Sequence, residues 1–576
     1  MKRTITLFFL IILNQTSFSQ MLTEKYLHNQ TVTYAEAIEF FKQLSANHPT
    51  SKFMTCGRTD AGKPLHLLII SQDMDFDPVS IKKKNKRVLL VNNGIHPGEP
   101  DGIDACMNLA KDILEKKMYE PLLKNTVLCI IPVYNIEGTL NRGSFSRVNQ
   151  NGPEEYGFRG NGENLDLNRD FIKCESMNAR AFTEIFRTWD PDVFVDTHVS
   201  NGADYQYVMT LIPSQHNKLT PALGEYMKGT VLPFLFDDMK KNGEEMVTYV
   251  NSIDETPDDG IASFLEVPRF STGYAALFNT IGFMPETHML KPYKDRVVAT
   301  YKFITSVMKF TSGHDAEIAR VRDEAKKDCV AKKKFPLSWT LDTTNHEMIS
   351  FKGFEAKHKK SNISGKQRLY YDRNAPYEKQ IKFFDTYHVE QSVDVPKAYI
   401  IPQAWYRVIE RLQWNKIAMK RLERDTVMDV EVYYIVNFET GHTPFEGKYV
   451  HSKVQLRTEK QRIQYYEGDY IIELNQPENR YIVETLEPQA TDSYFNWGFF
   501  DAIFQMKEYF SDYVFEGLAE EILKKNPALK TELENKKSSD QSFADNHEAQ
   551  LFFIYQHSPY YEKTHNRYPV GRITGG

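Results

Sequence analysis

Four continuous apolar runs, each closing in polar or turn-forming residues, constrain this chain more than any other feature. They are "RVLLVNNG" (from Arg87), "TVLCIIPVYN" (Thr126 to Asn135), "DVFVDTH" (Asp192 to His198) and "IGFMPETHM" (Ile281 to Met289). Apolar runs without alternation read as strands buried on both faces. Helix-patterned segments such as "DGIDACMNLAKDILEK" stand between them. Residues from about 30 to 325 therefore predict an α/β fold, a sheet covered by helices on both sides. In such sheets ligands bind outside the carboxyl ends of the strands. His96 and Glu99, in "NGIHPGEPDG", fall there.

The charged stretch from His314 to Lys334 reads as a surface helix leading out of this region. Beyond it the texture changes. From about 335 to 485 short β-rich segments dominate, with one helix expected in "PQAWYRVIERLQW", where Trp405, Val408 and Leu412 share a face. A helical region is expected from 486 to 576. Its aromatic stripe of Trp497, Phe500 and Phe504 reads as core, and the polar stretch "TELENKKSSDQSFADNHEA" as mobile chain.

The N-terminus has Lys2 and Arg3, an apolar stretch from Ile5 to Leu13, then Ser17 and Ser19. That is the layout of a signal peptide over residues 1–19, which leaves 20–330 as the α/β domain and implies a secreted or periplasmic protein. The apolar stretch is too short to span a bilayer, and no second run of membrane length follows. A net charge of −6 over 576 residues gives no basic face for nucleic acid. The one basic cluster, Lys82 to Arg87, reads as a solvated loop. The five cysteines form no CxxC pair and read as buried thiols.

A catalytic zinc site takes three protein ligands and keeps a position for water. His96 and Glu99 offer two, and His198, at the tip of its own strand, offers the third. A helical HExxH arrangement is absent. "HPGE" after a strand, then "NLDLNRDF", "DTH" and "PETHMLKPY" in that order resemble the zinc carboxypeptidase family, over roughly Val88 to Tyr293. The resemblance implies a mixed, mostly parallel sheet flanked by helices, one zinc ion on His96, Glu99 and His198, and Asp166 orienting His96. It assigns Asn168 and Arg169 to the terminal carboxylate of a peptide substrate, for which the guanidinium fork is suited.

The family's second arginine best matches Arg159, with Arg142 and Arg147 as competitors. Glu286 is the expected general base, ahead of Glu266, because an apolar strand delivers it to the cleft. Tyr274 is the counterpart of a mobile, substrate-facing tyrosine, twelve residues before Glu286 and nearer to it than in the best-known animal members. His288 carries no family role and reads as structural. The implied activity is that of a secreted zinc metallocarboxypeptidase. The same centre could serve a peptidase of cell-wall peptides or an amide deacylase, and loss of chemistry would leave a binding protein.

Overall fold

A computed structural model describes residues 21–574. The expected signal segment, 1–19, lies outside them. The first half is built on a nine-stranded mixed sheet. Its spatial order is Ser51–Arg58, Pro64–Ile70, Thr126–Ile131, Arg87–Asn92, Val193–Asp196, Ile281–His288, Met209–Pro213 and Val247–Thr248. His198–Ser200 continues beyond Val193–Asp196 and pairs with the far end of Ile281–His288. The four central strands are parallel.

Alternate residues of these apolar runs feed two cores. Val88 and Leu90 face one side with Val127 and Cys129, while Leu89, Val91, Leu128 and Ile130 face the other. Helices Tyr34–Ala46, Asp101–Leu114 and Tyr293–Gly313 cover the second face. Helices Met177–Trp189 and Ser271–Leu277 cover the first, through Phe182, Phe186 and Tyr274. That core does not stop at the α/β region. Tyr399, Leu412, Tyr481, Trp497 and Tyr568 belong to it as well.

After helix Asp315–Ala331 the chain forms long hairpins, Glu347–Lys360 with Gln367–Phe384 and Thr426–Thr440 with His451–Tyr465. The expected helix is Tyr406–Trp414, with Val408 and Leu412 buried. Two expectations are corrected beyond it. Trp497 and Phe500 are core residues, but they sit on turns, and the longer C-terminal helices begin only at Asp512. The polar stretch is not loose chain but largely helix, Pro527–Ser539, which buries Leu529 and Leu533. Arg87 is likewise no solvated residue. It is buried against Asp192, Nη1 to Oδ1 at 3.0 Å. The five cysteines are unpaired, four of them buried. Among the described residues no helix is long and apolar enough to cross a membrane.

Candidate active site

The turn after Arg87–Asn92 carries His96 and Glu99, closed by the Glu99 N–H donating to the His96 carbonyl at 2.8 Å. Helix Asp101–Leu114 starts immediately afterwards. His198 opens its short strand directly opposite Glu286, so sheet register alone sets these two side by side.

The side chains of His96, Glu99 and His198 converge. His96 Nδ1 lies 3.2 Å from His198 Nδ1, and each lies 3.3 Å from Glu99 Oε2. Zinc bonds of about 2.0–2.1 Å at tetrahedral angles require donor atoms about 3.3 Å apart, so the trio fits such an ion. All three residues are buried. The far nitrogen of each ring is taken by a carboxylate: His96 Nε2 is 2.9 Å from Asp166 Oδ1, and His198 Nε2 is 2.9 Å from Asp196 Oδ2. This arrangement turns both Nδ1 atoms toward a common point.

A cleft of about 490 Å³ opens on this trio. Glu286, Arg147, Arg159, Asn168 and Arg169 line it. Burial, reinforced by the nearby Glu99 charge, pushes the Glu286 carboxyl up to about 8. Glu99 is held well below the usual carboxylate range, because His96 and Arg147 outweigh its burial. Asn168 Oδ1 accepts the Ser271 N–H at 3.1 Å, and its amide nitrogen has no partner among the described residues. The Arg169 guanidinium lies 4.4 Å over the Phe270 ring and donates to the Asn168 carbonyl at 2.9 Å.

The three candidate arginines separate cleanly. Arg142 is outside the cleft and donates to the carbonyls of Thr31 and Val32. Arg147 spends Nε on Gln150, Nη1 on Glu99 and Nη2 on the Val199 carbonyl. Arg159 donates from Nε to Asp166 at 2.9 Å and from Nη1 to Glu99 at 3.4 Å, and Nη2 has no partner among the described residues.

Residues 37–207 match the sequence profile of the zinc carboxypeptidase family. Over that stretch the chain is similar to zinc carboxypeptidases. The matched stretch holds the three converging ligands together with Arg159, Asp166, Asn168 and Arg169, whereas Glu286 lies beyond it and joins them only through the fold. Two of the proteins to which the chain is similar are called carboxypeptidase 2. The one from Trichophyton rubrum is 19% identical over 80% of this chain and 82% of its own length. The one from Trichophyton equinum is 20% identical over 73% and 75%. A solved metallo-carboxypeptidase from Pseudomonas aeruginosa superposes with a TM-score of 0.36 at 14% identity, covering 50% of this chain and 70% of its own.

Tyr274 does not meet the cleft. It is fully buried beneath Phe171, Phe186 and Phe278, and its hydroxyl donates to Asn415 Oδ1 at 2.5 Å. A tyrosine that does line the cleft is Tyr249, whose phenol is pushed upward by burial and by Glu286. Glu266 is also buried, but it lies beside Lys218 and does not line the cleft. His288 is fully buried, with the Tyr205 ring 4.6 Å away. Sequence reasoning missed Asp196, although strand alternation places it on the face of His198. It also missed the aromatic wall of Tyr249, Phe264 and Phe270, which comes from irregular segments without a periodic signal.

Proposed function

We propose that the chain is a secreted, zinc-dependent metallocarboxypeptidase that removes single residues from the C-terminus of peptides. The carrying observation is the convergence of three buried ligand atoms beside Glu286 and the Asn168–Arg169 pair in one cleft. His96, Glu99 and His198 would hold zinc. The ion's contribution is to lower the pKa of a water and polarise a carbonyl. Glu286 takes the proton of the attacking water and returns it to the leaving amine. Arg159, whose Nη2 has no partner, donates to the oxyanion of the tetrahedral intermediate. Arg147 fixes Glu99 instead. Asn168 and Arg169 hold the terminal carboxylate and limit cleavage to the last peptide bond.

The wall of the cleft supports a substrate class. Ile212, Tyr249, Phe264, Phe270 and Met284 line it, and its charged lining residues are the ligand set, Glu286, Arg159, Arg169 and Arg147, the last engaged with Glu99. An apolar C-terminal side chain suits that wall. Burying such a side chain contributes about 1.5–3 kcal/mol, roughly 10- to 150-fold over glycine. Export rests on the N-terminal sequence alone.

The test is turnover of N-blocked dipeptides by the zinc-loaded protein. We expect hippuryl-phenylalanine to release phenylalanine, with hippuryl-arginine, hippuryl-glutamate and the phenylalanine amide cleaved far more slowly. Equal cleavage of acid and amide would remove the carboxylate anchor. Cleavage confined to simple N-acyl amino acids would favour the deacylase, and preference for arginine or glutamate would overturn the apolar assignment.

A further inference from the structure

The hairpin Thr426–Thr440 with His451–Tyr465 belongs to the region that follows the family-matched stretch, yet its tip reaches the zinc site. Beyond the paired strands the chain makes a two-residue turn: the Phe445 N–H donates to the Lys448 carbonyl at 2.8 Å, and the Lys448 N–H returns the bond at 3.0 Å. Its two central residues, Glu446 and Gly447, both have left-handed backbone, with φ of 50° and 75°. Turns of this kind favour Asn-Gly or Asp-Gly, and a longer side chain at the first place costs backbone energy. The choice of glutamate calls for a reason outside the turn.

The contact supplies it. Glu446 Oε2 accepts the backbone N–H of Asp166 at 2.7 Å across 280 residues of sequence. Asp166 is the carboxylate behind His96. Its Oδ1 also accepts the Asn168 N–H at 2.8 Å, and its Oδ2 accepts from Arg159 Nε. One backbone segment thus orients a metal ligand, the oxyanion arginine and the carboxylate anchor, and Glu446 fixes that segment from the opposite side. The turn itself is well held. Lys448 pairs with Glu175 at 2.7 Å, and Phe445 stacks on Trp497 with the Arg269 guanidinium 5.2 Å from its ring. Glu446 also lines a side cavity of about 350 Å³ that shares Ser146, Arg147 and Arg159 with the main cleft.

We propose that Glu446 is a positioning residue of the catalytic centre, acting through Asp166 on His96. The inference rests on the carboxypeptidase reading of the cleft. Three variants of the full chain test it, each measured for zinc affinity by chelator competition, for kcat and KM on hippuryl-phenylalanine, and for Tm. Glu446→Ala removes the acceptor, so zinc affinity and kcat should each fall about tenfold, as for other residues that orient ligands from behind. Glu446→Gln keeps an acceptor oxygen at the same reach and should restore both to within about twofold of wild type. Glu446→Asp is the decisive variant: it suits the turn better but falls one methylene short. It should match Ala in zinc affinity and kcat while its Tm stays at or above that of wild type.

Wild-type zinc affinity and kcat in both Ala and Asp would overturn the assignment, as would losses that simply follow Tm. A wild-type protein that binds zinc but releases no C-terminal residue would remove the carboxypeptidase reading, and the zinc-affinity series would then decide the role of Glu446 alone.

Discussion

Asp196 and His198 lie two residues apart at the carboxyl end of a central strand, and their side chains meet at 2.9 Å, Oδ2 to Nε2. This contact, rather than the imidazole by itself, determines that Nδ1 is the atom presented to Glu99. Asp196 is itself held by Asn92, whose Nδ2 donates to Oδ1 at 2.9 Å. Asp196→Asn keeps the shape and removes the charge. Zinc affinity should drop about 10- to 100-fold, read by chelator competition, with far-ultraviolet circular dichroism unchanged.

Among the described residues, Glu286 and Glu99 are the two carboxylates that line the cleft. Glu286→Gln should retain zinc in mass-spectrometric metal analysis while kcat falls by about 10² to 10⁴, the range for loss of a positioned general base. Full turnover in this variant would place the base elsewhere.

The Arg169 guanidinium lies over the Phe270 ring and donates to the Asn168 carbonyl, so it is held at the cleft wall by two contacts. Arg169→Ala should raise KM for free-acid substrates by about tenfold or more and shrink the preference for acid over amide, since a charge-assisted pair contributes about 1.5–3 kcal/mol. Arg169→Lys should recover little, because a point charge cannot make the paired contact. An unchanged acid-to-amide ratio in the alanine variant would exclude the anchor.

His288 gives a prediction about stability. Burial, with Lys291 adding to it, pushes its imidazole down to about 4. The unfolded chain, with an ordinary histidine, takes up a proton below about 6.5, and the folded chain does not. The stability tied to this residue is thus complete above about pH 6.5 and is lost as the pH falls toward 4, to a total on the order of 3 kcal/mol. Urea titrations at several pH values should show that slope in wild type and a shallower one in His288→Asn.

The readable parts of the molecule were those dictated by periodicity. Strands buried on both sides leave uninterrupted apolar runs, so the central sheet and the ends that carry His96, His198 and Glu286 could be found directly. Spacing fails where position depends on the path of a loop. Tyr274 stands only twelve residues before Glu286, nearer than in the best-known animal members, and the helix that carries it turns its ring into the core, whereas Tyr249 arrives from a segment with no pattern. The tandem of Trp497 and Phe500 is core, as its pattern predicts, but not helix, because aromatic packing does not require helical backbone. Glu446 left no local trace at all, since its partner lies 280 residues away.

The core that runs from the sheet into the later region has a practical consequence. Phe278 stacks on Tyr481 at 5.1 Å, and the Tyr274 hydroxyl is capped by Asn415. A chain cut after Ala331 would strip the roof from one whole side of the sheet and turn its greasy underside to water. The α/β half is therefore not a detachable module, and a protease nick there should yield aggregated fragments in place of a smaller folded protein.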